Sequence, residues 1–300
     1  MAEAPAIGFM GFGEAAQAFV EGWSKNLTLD IAAYDIKTEE TGSPRHQKEA
    51  DYRNSNVTGC QSPADMLARS DVIFSLVTAD QSIVAADAAA RAGMKGKLFF
   101  DCNSTAPQSK ETSRDAIEGA GGRYVDVAVI EPMHPKLHRV PVMICGPHTD
   151  DAKAAMDRLG MNVTVAEGPV GLVSGIKLTR SIIVKGIEAL TAEMLVVART
   201  LGVADTVMES LDAAYPGYDW HTRGAYCLDR MMVHGERRAS EMLEAAKMVD
   251  ALGLPSAMSS AMATWQAEVG ALGLTPGTPD PLERADRIRE ELLNASDDQS

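Results

Sequence analysis

Short apolar runs and helical patterns alternate through the first half of the chain. They begin with Ala6–Phe9, a helical pattern over Glu14–Ser24 and a second run at Leu29–Tyr34. The series continues with Val72–Val77, a helix over Asp80–Ala92, Leu98–Asp101 and a helix opened by Pro107. Tyr124–Val129, Val142–Cys145, a helix over Asp151–Leu159 and Val163–Val165 complete it. The strand-type runs are continuously apolar, as strands covered on both faces require. This order predicts a parallel α/β sheet. Residues 36–62, rich in Thr, Ser, Pro, Asn and Gln, read as a looser connection holding at most one short helix and one short strand.

Beyond Gly168-Pro169 the texture changes. No proline interrupts Val170–Leu201, a run long enough for a helix of about 45 Å at about 1.5 Å per residue. Helical patterns over Ala225–Leu252, Ser256–Leu272 and Pro281–Leu293 follow, separated by Gly or Pro. Tyr215-Pro216-Gly217-Tyr218-Asp219-Trp220 reads as an aromatic turn, and Ser296–Ser300 as a frayed tail. The expected architecture is an α/β domain over residues 1–166 and an all-α domain over residues 167–300, entered by a long interdomain helix.

Charge narrows the partners. Lys and Arg number 28 against 42 Asp and Glu, a net charge of −14 spread over both halves of the 300 residues. Nucleic acid and membrane surfaces call for clustered cations, so neither is expected as a partner. The content, 45% hydrophobic and 23% charged, is that of a globular chain. Cys60, Cys102, Cys145 and Cys227 stand 42, 43 and 82 residues apart, without the short spacing of a zinc knuckle or dithiol motif. The chain opens without a basic stretch or cleavable apolar segment, and no apolar run reaches membrane-spanning length. A soluble, reducing, cytoplasmic setting is expected.

The first chemical signal follows the first strand. Gly11, Gly13 and Ala16 fit the pattern G-x-G-x-x-G/A: a tight turn, a position without a Cβ to block a pyrophosphate, and close packing of helix on strand. Phe12, Glu14 and Ala15 complete this phosphate turn, whose helix N-terminus points amides at an anion. The second strand ends in Tyr34-Asp35, 24 residues after Gly11, where a carboxylate can accept both ribose hydroxyls. Strand, turn, helix and acid in this register predict a dinucleotide-binding Rossmann domain. Val77, Thr78 and Asn103, at later strand ends, are the remaining expected cofactor contacts. The charge of Asp35 repels a 2′-phosphate, so NAD is preferred, with Lys37 near enough to keep NADP as the alternative.

The long helix carries the second signal. Ser174, Lys177, Ser181 and Lys185 recur every three or four residues and form one stripe among apolar neighbours. Lysines in such a helix need solvent or a partner, and a solvated face would explain the stripe equally well.

Three segments, Ile7–Gly13, Asp101-Cys102-Asn103-Ser104-Thr105-Ala106-Pro107 and Gly171…Lys177…Ser181, together resemble the β-hydroxyacid dehydrogenases. That family includes 3-hydroxyisobutyrate dehydrogenase, tartronate semialdehyde reductase and 6-phosphogluconate dehydrogenase. The resemblance spans nearly the whole chain. The stretch His234–Met242 is similar to a less characterised branch with a helical C-terminal domain of unknown function. The resemblance implies NAD(P)-linked hydride transfer on a small carboxylated alcohol, Lys177 as general acid/base, Ser104 and Thr105 holding the substrate carboxylate, and a homodimer. A lysine in a dry cleft beside a cationic nicotinamide would have a lowered pKa, which suits that role.

The chain also departs from the family pattern. The family's Gly-Gly pair is replaced by Ile130-Glu131-Pro132-Met133-His134-Pro135, and proline cannot donate. Ser181 stands where the family has asparagine, and Lys185 adds a second candidate base. Glu131, His134, Ser181 and Lys185 therefore join the candidate substrate contacts. Imine reduction, oxidative decarboxylation and a non-catalytic dinucleotide sensor are the alternative readings. His134 and His138 lack a completing carboxylate, so no metal is expected, and Cys102 reads as packing rather than as a nucleophile. The Tyr218–His221 loop and His234, Arg237 and Arg238 read as a candidate aromatic wall or anion clamp, the arginines also being able to pair with Glu236 and Glu241.

Overall fold

The computed structural model describes residues 5–297. The chain divides into two compact units, Met1–Leu178 and Thr179–Ser300. The first contains β1 (Ile7–Met10), β2 (Ile31–Tyr34), β3 (Thr58–Gly59), β4 (Val72–Ser75), β5 (Leu98–Asp101), β6 (Arg123–Val129), β7 (Pro141–Cys145) and β8 (Asn162–Val165). They form one sheet in the order β3-β2-β1-β4-β5-β6-β7-β8. Between them run α1 (Glu14–Ser24), α2 (Ser43–Asn54), α3 (Pro63–Ala68), α4 (Ser82–Gly93), α5 (Pro107–Gly119) and α6 (Thr149–Arg158). The order of the first six strands is that of a doubly wound dinucleotide fold.

One expectation needs correction: the sheet is not wholly parallel. β7 runs antiparallel to β6 and β8 runs parallel to β7. Residues 130–140 hold only a short 3-10 turn, Leu137–Arg139, and a parallel return needs a crossover, usually helical. Within 36–62 the structure has a 3-10 turn, α2 and the two-residue β3.

Strand alternation feeds two buried layers. Ile7 and Phe9 join Phe12, Phe19, Trp23, Phe74 and Phe100 on one face; Met10, Ile73, Phe99 and Tyr124 join Met66, Leu67, Ala86 and Ala89 on the other. Burial on both faces explains the unbroken apolar runs.

The second unit is helical. α7 (Leu172–Leu201) begins in the first unit and continues into the second, followed by α8 (Ala204–Ala214), α9 (Trp220–Ala251), α10 (Ala257–Ala271) and α11 (Pro281–Asp297). α8 falls within the expected all-α region, where the sequence pattern marks no separate helix before the aromatic turn. α9 starts earlier than expected because Asp219, at φ 54°, caps it by accepting from the Thr222 amide at 3.0 Å. α11 runs through Ser296 and Asp297; the rest of the expected tail, 298–300, lies outside the described residues. Leu195, Met208, Leu228, Met231, Val269 and Ile288 form this unit's core. α9 and α10 meet backbone to backbone at Gly235 and Gly270, where a Cβ on Gly235 would stand 2.3 Å from the Gln266 carbonyl oxygen. Among the described residues no helix is long and apolar enough to cross a membrane.

Candidate functional site

β1 and β4 are neighbours in the sheet, and the crevice beyond their carboxyl ends is where this fold binds ligands. The chain leaves β1 through Gly11 at φ +84°, where a Cβ would lie 2.5 Å from the Leu76 carbonyl oxygen, so only glycine fits. Gly13 has no atom within 4 Å of its Cβ position. It opens α1, which has no side-chain cap, and the first-turn amides of Glu14 and Ala15 have no carbonyl within their own helix. An open cradle at an uncapped helix N-terminus fits a pyrophosphate.

The loop is held from both sides. The Gly11 amide donates to the Tyr34 carbonyl at 2.8 Å, and the Phe12 amide to Asp35 Oδ2 at 2.8 Å. The Phe12 ring is fully buried, 5.2 Å from that of Tyr52. Phe12 thus anchors the turn, its amide bonded to Asp35 and its ring packed against Tyr52. Asp35 Oδ1 accepts from the Lys37 amide at 3.0 Å, but the Lys37 side chain is exposed. The cation at Asp35 is Lys48 of α2. Its Nζ lies 3.8 Å from Asp35 Oδ2, pairs with Asp51 at 2.9 Å and donates to the Phe12 carbonyl at 2.6 Å. Sequence reasoning missed Lys48; the one available signal was its i, i+4 spacing from Tyr52, the other buried residue of α2.

Asn103, after β5, ties two strand ends together. Its Oδ1 accepts from the Val77 amide at 2.8 Å, and its Nδ2 donates to Ser75 Oγ at 2.9 Å and Asp101 Oδ1 at 2.8 Å. Its amide therefore holds the loops that carry the site. Thr78 is exposed and Ser104 half-buried. Thr105 is fully buried and its hydroxyl has no hydrogen-bond partner, an orphan polar atom of the kind a ligand would satisfy.

Beneath this loop lies a cluster of buried charge. Lys110 of α5 stands 2.9 Å from Asp101 Oδ1 and 3.3 Å from Asp126 Oδ1, with none of the three exposed. Burial alone would lower the Lys110 pKa; Asp101 and Asp126 override it and hold the ammonium above the usual lysine value. Tyr124 donates to Asp101 at 2.7 Å. Asp126 also accepts from Ser174 Oγ at 2.7 Å and from the Gly171 amide at 3.0 Å. Gly171, at φ +97°, lets α7 approach Pro107, which a Cβ would meet at 2.8 Å. The start of α7 is thereby fixed against the start of α5. Lys177 follows Ser174 by one turn, is half-buried, and its charge reaches Cys102. Burial pushes the Cys102 thiol up to about 12 against the pull of Lys110 and Lys177, which leaves it a packing residue.

The other candidates are distributed differently. Lys185 is buried, paired with Glu241 at 2.8 Å and donating to Ser181 Oγ at 3.2 Å, so its ammonium serves an internal ion pair. Arg238 pairs with buried Glu188 of α7, through Nε at 2.7 Å and a second bond from Nη2. Gln266 donates to the same carboxylate at 3.3 Å. Arg237 is exposed. Glu131 and His134 lie on the exposed loop after β6, where Lys136 donates to Glu131 at 2.5 Å. His138 is buried, and burial with the nearby charges of Arg139 and Lys25 lowers its pKa. Tyr218 and Trp220 have ring centroids 4.4 Å apart, with Arg223 stacked on Tyr218. No group of three or more metal-type ligands occurs among the described residues.

Residues 6–168 match the NAD binding domain of 6-phosphogluconate dehydrogenase, and residues 198–269 match a domain of unknown function, DUF1932. An uncharacterized 28.5 kDa protein of Methanothermus fervidus is 25% identical over 255 residues, 81% of this chain and 90% of that protein. A conserved hypothetical protein of Sinorhizobium meliloti has a TM-score of 0.70 at 29% identity, covering 97% of both chains. Mycobacterium tuberculosis 3-hydroxyisobutyrate dehydrogenase, solved with L-serine, has a TM-score of 0.69 at 15% identity, covering 96% of this chain and 99% of that one, and so shares the fold. With its glycine turn, its acid at the end of β2 and its helical second unit, the chain belongs to the family built on the NAD binding domain of 6-phosphogluconate dehydrogenase, in the branch that carries DUF1932.

Proposed function

We propose that the chain is an NAD-linked oxidoreductase that moves a hydride between the nicotinamide and the alcohol or carbonyl carbon of a small, carboxylated substrate. The observation that carries the reading is the meeting, within one unit, of the glycine turn, the orphan hydroxyl of Thr105 and Lys177, one turn beyond Ser174 on the helix whose start packs on Pro107 and is tied to Asp126. A bound nicotinamide supplies the hydride acceptor. Gly13, Glu14 and Ala15 would hold its pyrophosphate, and Asp35 its adenosine ribose. Thr105 and Ser104 would hold the substrate carboxylate, with Lys177 Nζ taking the hydroxyl proton as the carbinol carbon is oxidised and returning it in reduction. Asp35 supports NAD over NADP, because its charge would meet a 2′-phosphate.

A homodimer is part of the reading. Ile183, Leu190 and Val197 of α7 recur every seven residues and are exposed, with Leu201 continuing the line, a pattern suited to a second helix. The deciding experiment is turnover of a panel of 3-hydroxyacids, aldehydes and sugar acids followed by NADH absorbance. Lys177→Ala should lose several powers of ten in kcat and keep its NADH affinity. Full activity in that variant removes Lys177 from the chemistry; binding without turnover on every substrate makes the chain a sensor.

A further inference from the structure

We infer that Lys48 is a specificity-determining residue for the dinucleotide, one that moderates the barrier Asp35 raises against a 2′-phosphate. The inference rests on the dinucleotide reading above. Asp35 and Asp51 both contact the Lys48 ammonium, at 3.8 and 2.9 Å, and the Lys48 side chain is only 8% exposed. A charge so enclosed is weakly screened, so its field acts on whatever occupies the ribose end of the site. With Lys48 in place the three groups sum to one negative charge; without it they sum to two. A neutral donor would serve to hold the Phe12 carbonyl, which Lys48 reaches at 2.6 Å. What the lysine adds to that bond is charge, next to the one carboxylate that meets the ribose.

The helix that carries Lys48 is otherwise exposed or partly exposed, with Tyr52 as its other buried residue. α2 therefore presents a cation and a ring to the glycine turn, and Asp51 of the same helix pairs with that cation. In this arrangement cofactor selectivity is set by a triad, Asp35, Lys48 and Asp51, and not by Asp35 alone. Changing the triad's charge should change the ratio of affinities for the two nucleotide classes, whereas loosening the loop should weaken both together.

Binding of ADP and of 2′,5′-ADP, measured by titration calorimetry on the full chain, tests this without turnover. In Lys48→Gln the ratio Kd(2′,5′-ADP)/Kd(ADP) should rise about tenfold, since one nearby charge at intermediate dielectric is worth at least that factor. Lys48→Arg should keep the wild-type ratio. Asp51→Asn should move the ratio the other way, which gives a second reading should Lys48→Gln fold poorly. Parallel weakening of both nucleotides in Lys48→Gln, or an unchanged ratio in Asp51→Asn, overturns the inference and leaves Lys48 as a prop for the loop. A wild-type chain that binds neither nucleotide overturns the dinucleotide reading itself, and the inference with it.

Discussion

Ser174 donates a 2.7 Å hydrogen bond to Asp126, joining the first turns of α7 to the central sheet strand β6. Both groups are buried, and Ser174 is one turn before Lys177, so the bond fixes the part of the helix that carries the proposed base. Ser174→Ala should lower stability by about 1.5–3 kcal/mol, the range for hydrogen bonds to a charged group. Urea denaturation of the variant reads this as a drop in midpoint with an unchanged slope.

Lys110 is the cation for two buried carboxylates, and its removal leaves Asp101 and Asp126 facing each other on adjacent strands. Lys110→Met should cost about 3–5 kcal/mol, as breaking a buried pair does. The pH dependence has a definite sign. A folded pKa raised above the unfolded value, near 10.5, keeps its contribution at every lower pH and loses it only as pH climbs through the folded value. Stability followed from pH 7 to 11 should show loss from this group only above about pH 10.5.

Gly13 separates folding from binding. With no atom within 4 Å of its Cβ position and an extended backbone, Gly13→Val should leave the thermal midpoint nearly unchanged. The same side chain would fill the cradle, so NADH affinity should fall by about a hundredfold, the scale of a few kcal/mol of lost contact. Fluorescence titration with NADH alongside thermal melting checks both halves.

Arg238 and Glu188 form a buried ion pair within the helical unit. Arg238→Met should cost about 3–5 kcal/mol because Glu188 is left as an uncompensated charge. Adding Glu188→Leu should recover most of that loss. A double-variant cycle in denaturant that shows simple additivity would mean that the pair is not coupled.

Burial raises the thiols of Cys102, Cys145 and Cys227, to about 12, 11 and 11. In the folded protein at pH 8 these three should resist a thiol-specific chromogenic reagent over minutes, then react at once in denaturant. Rapid labelling of native Cys102, located by mass spectrometry, would count against its enclosure.

Much of the first unit was legible because its signals are local. Gly11, Gly13 and Asp35 announce themselves by spacing, and the unbroken apolar strands by composition. The parts that stayed hidden depend on partners distant in sequence. Arg238 has acids within four residues, yet its carboxylate comes from Glu188, fifty positions earlier. Nothing in the local sequence marks Lys110, whose partners are Asp101 at the end of β5 and Asp126 in the middle of β6. Lys48 lies in a segment whose composition suggests a loop. The direction of β7 is set by the absence of a crossover between it and β6, which burial patterns do not register.

The sharing of α7 between the two units limits how the protein can be cut. A fragment ending at the edge of the matched NAD binding domain, residue 168, would lose the Gly171 amide and the Ser174 hydroxyl that serve buried Asp126. The edge of the matched domain thus stops short of groups that Asp126 uses. A viable N-terminal fragment, or a chimera that grafts a different helical unit onto this sheet, has to carry α7 through at least Leu178 and place its seam inside the helix.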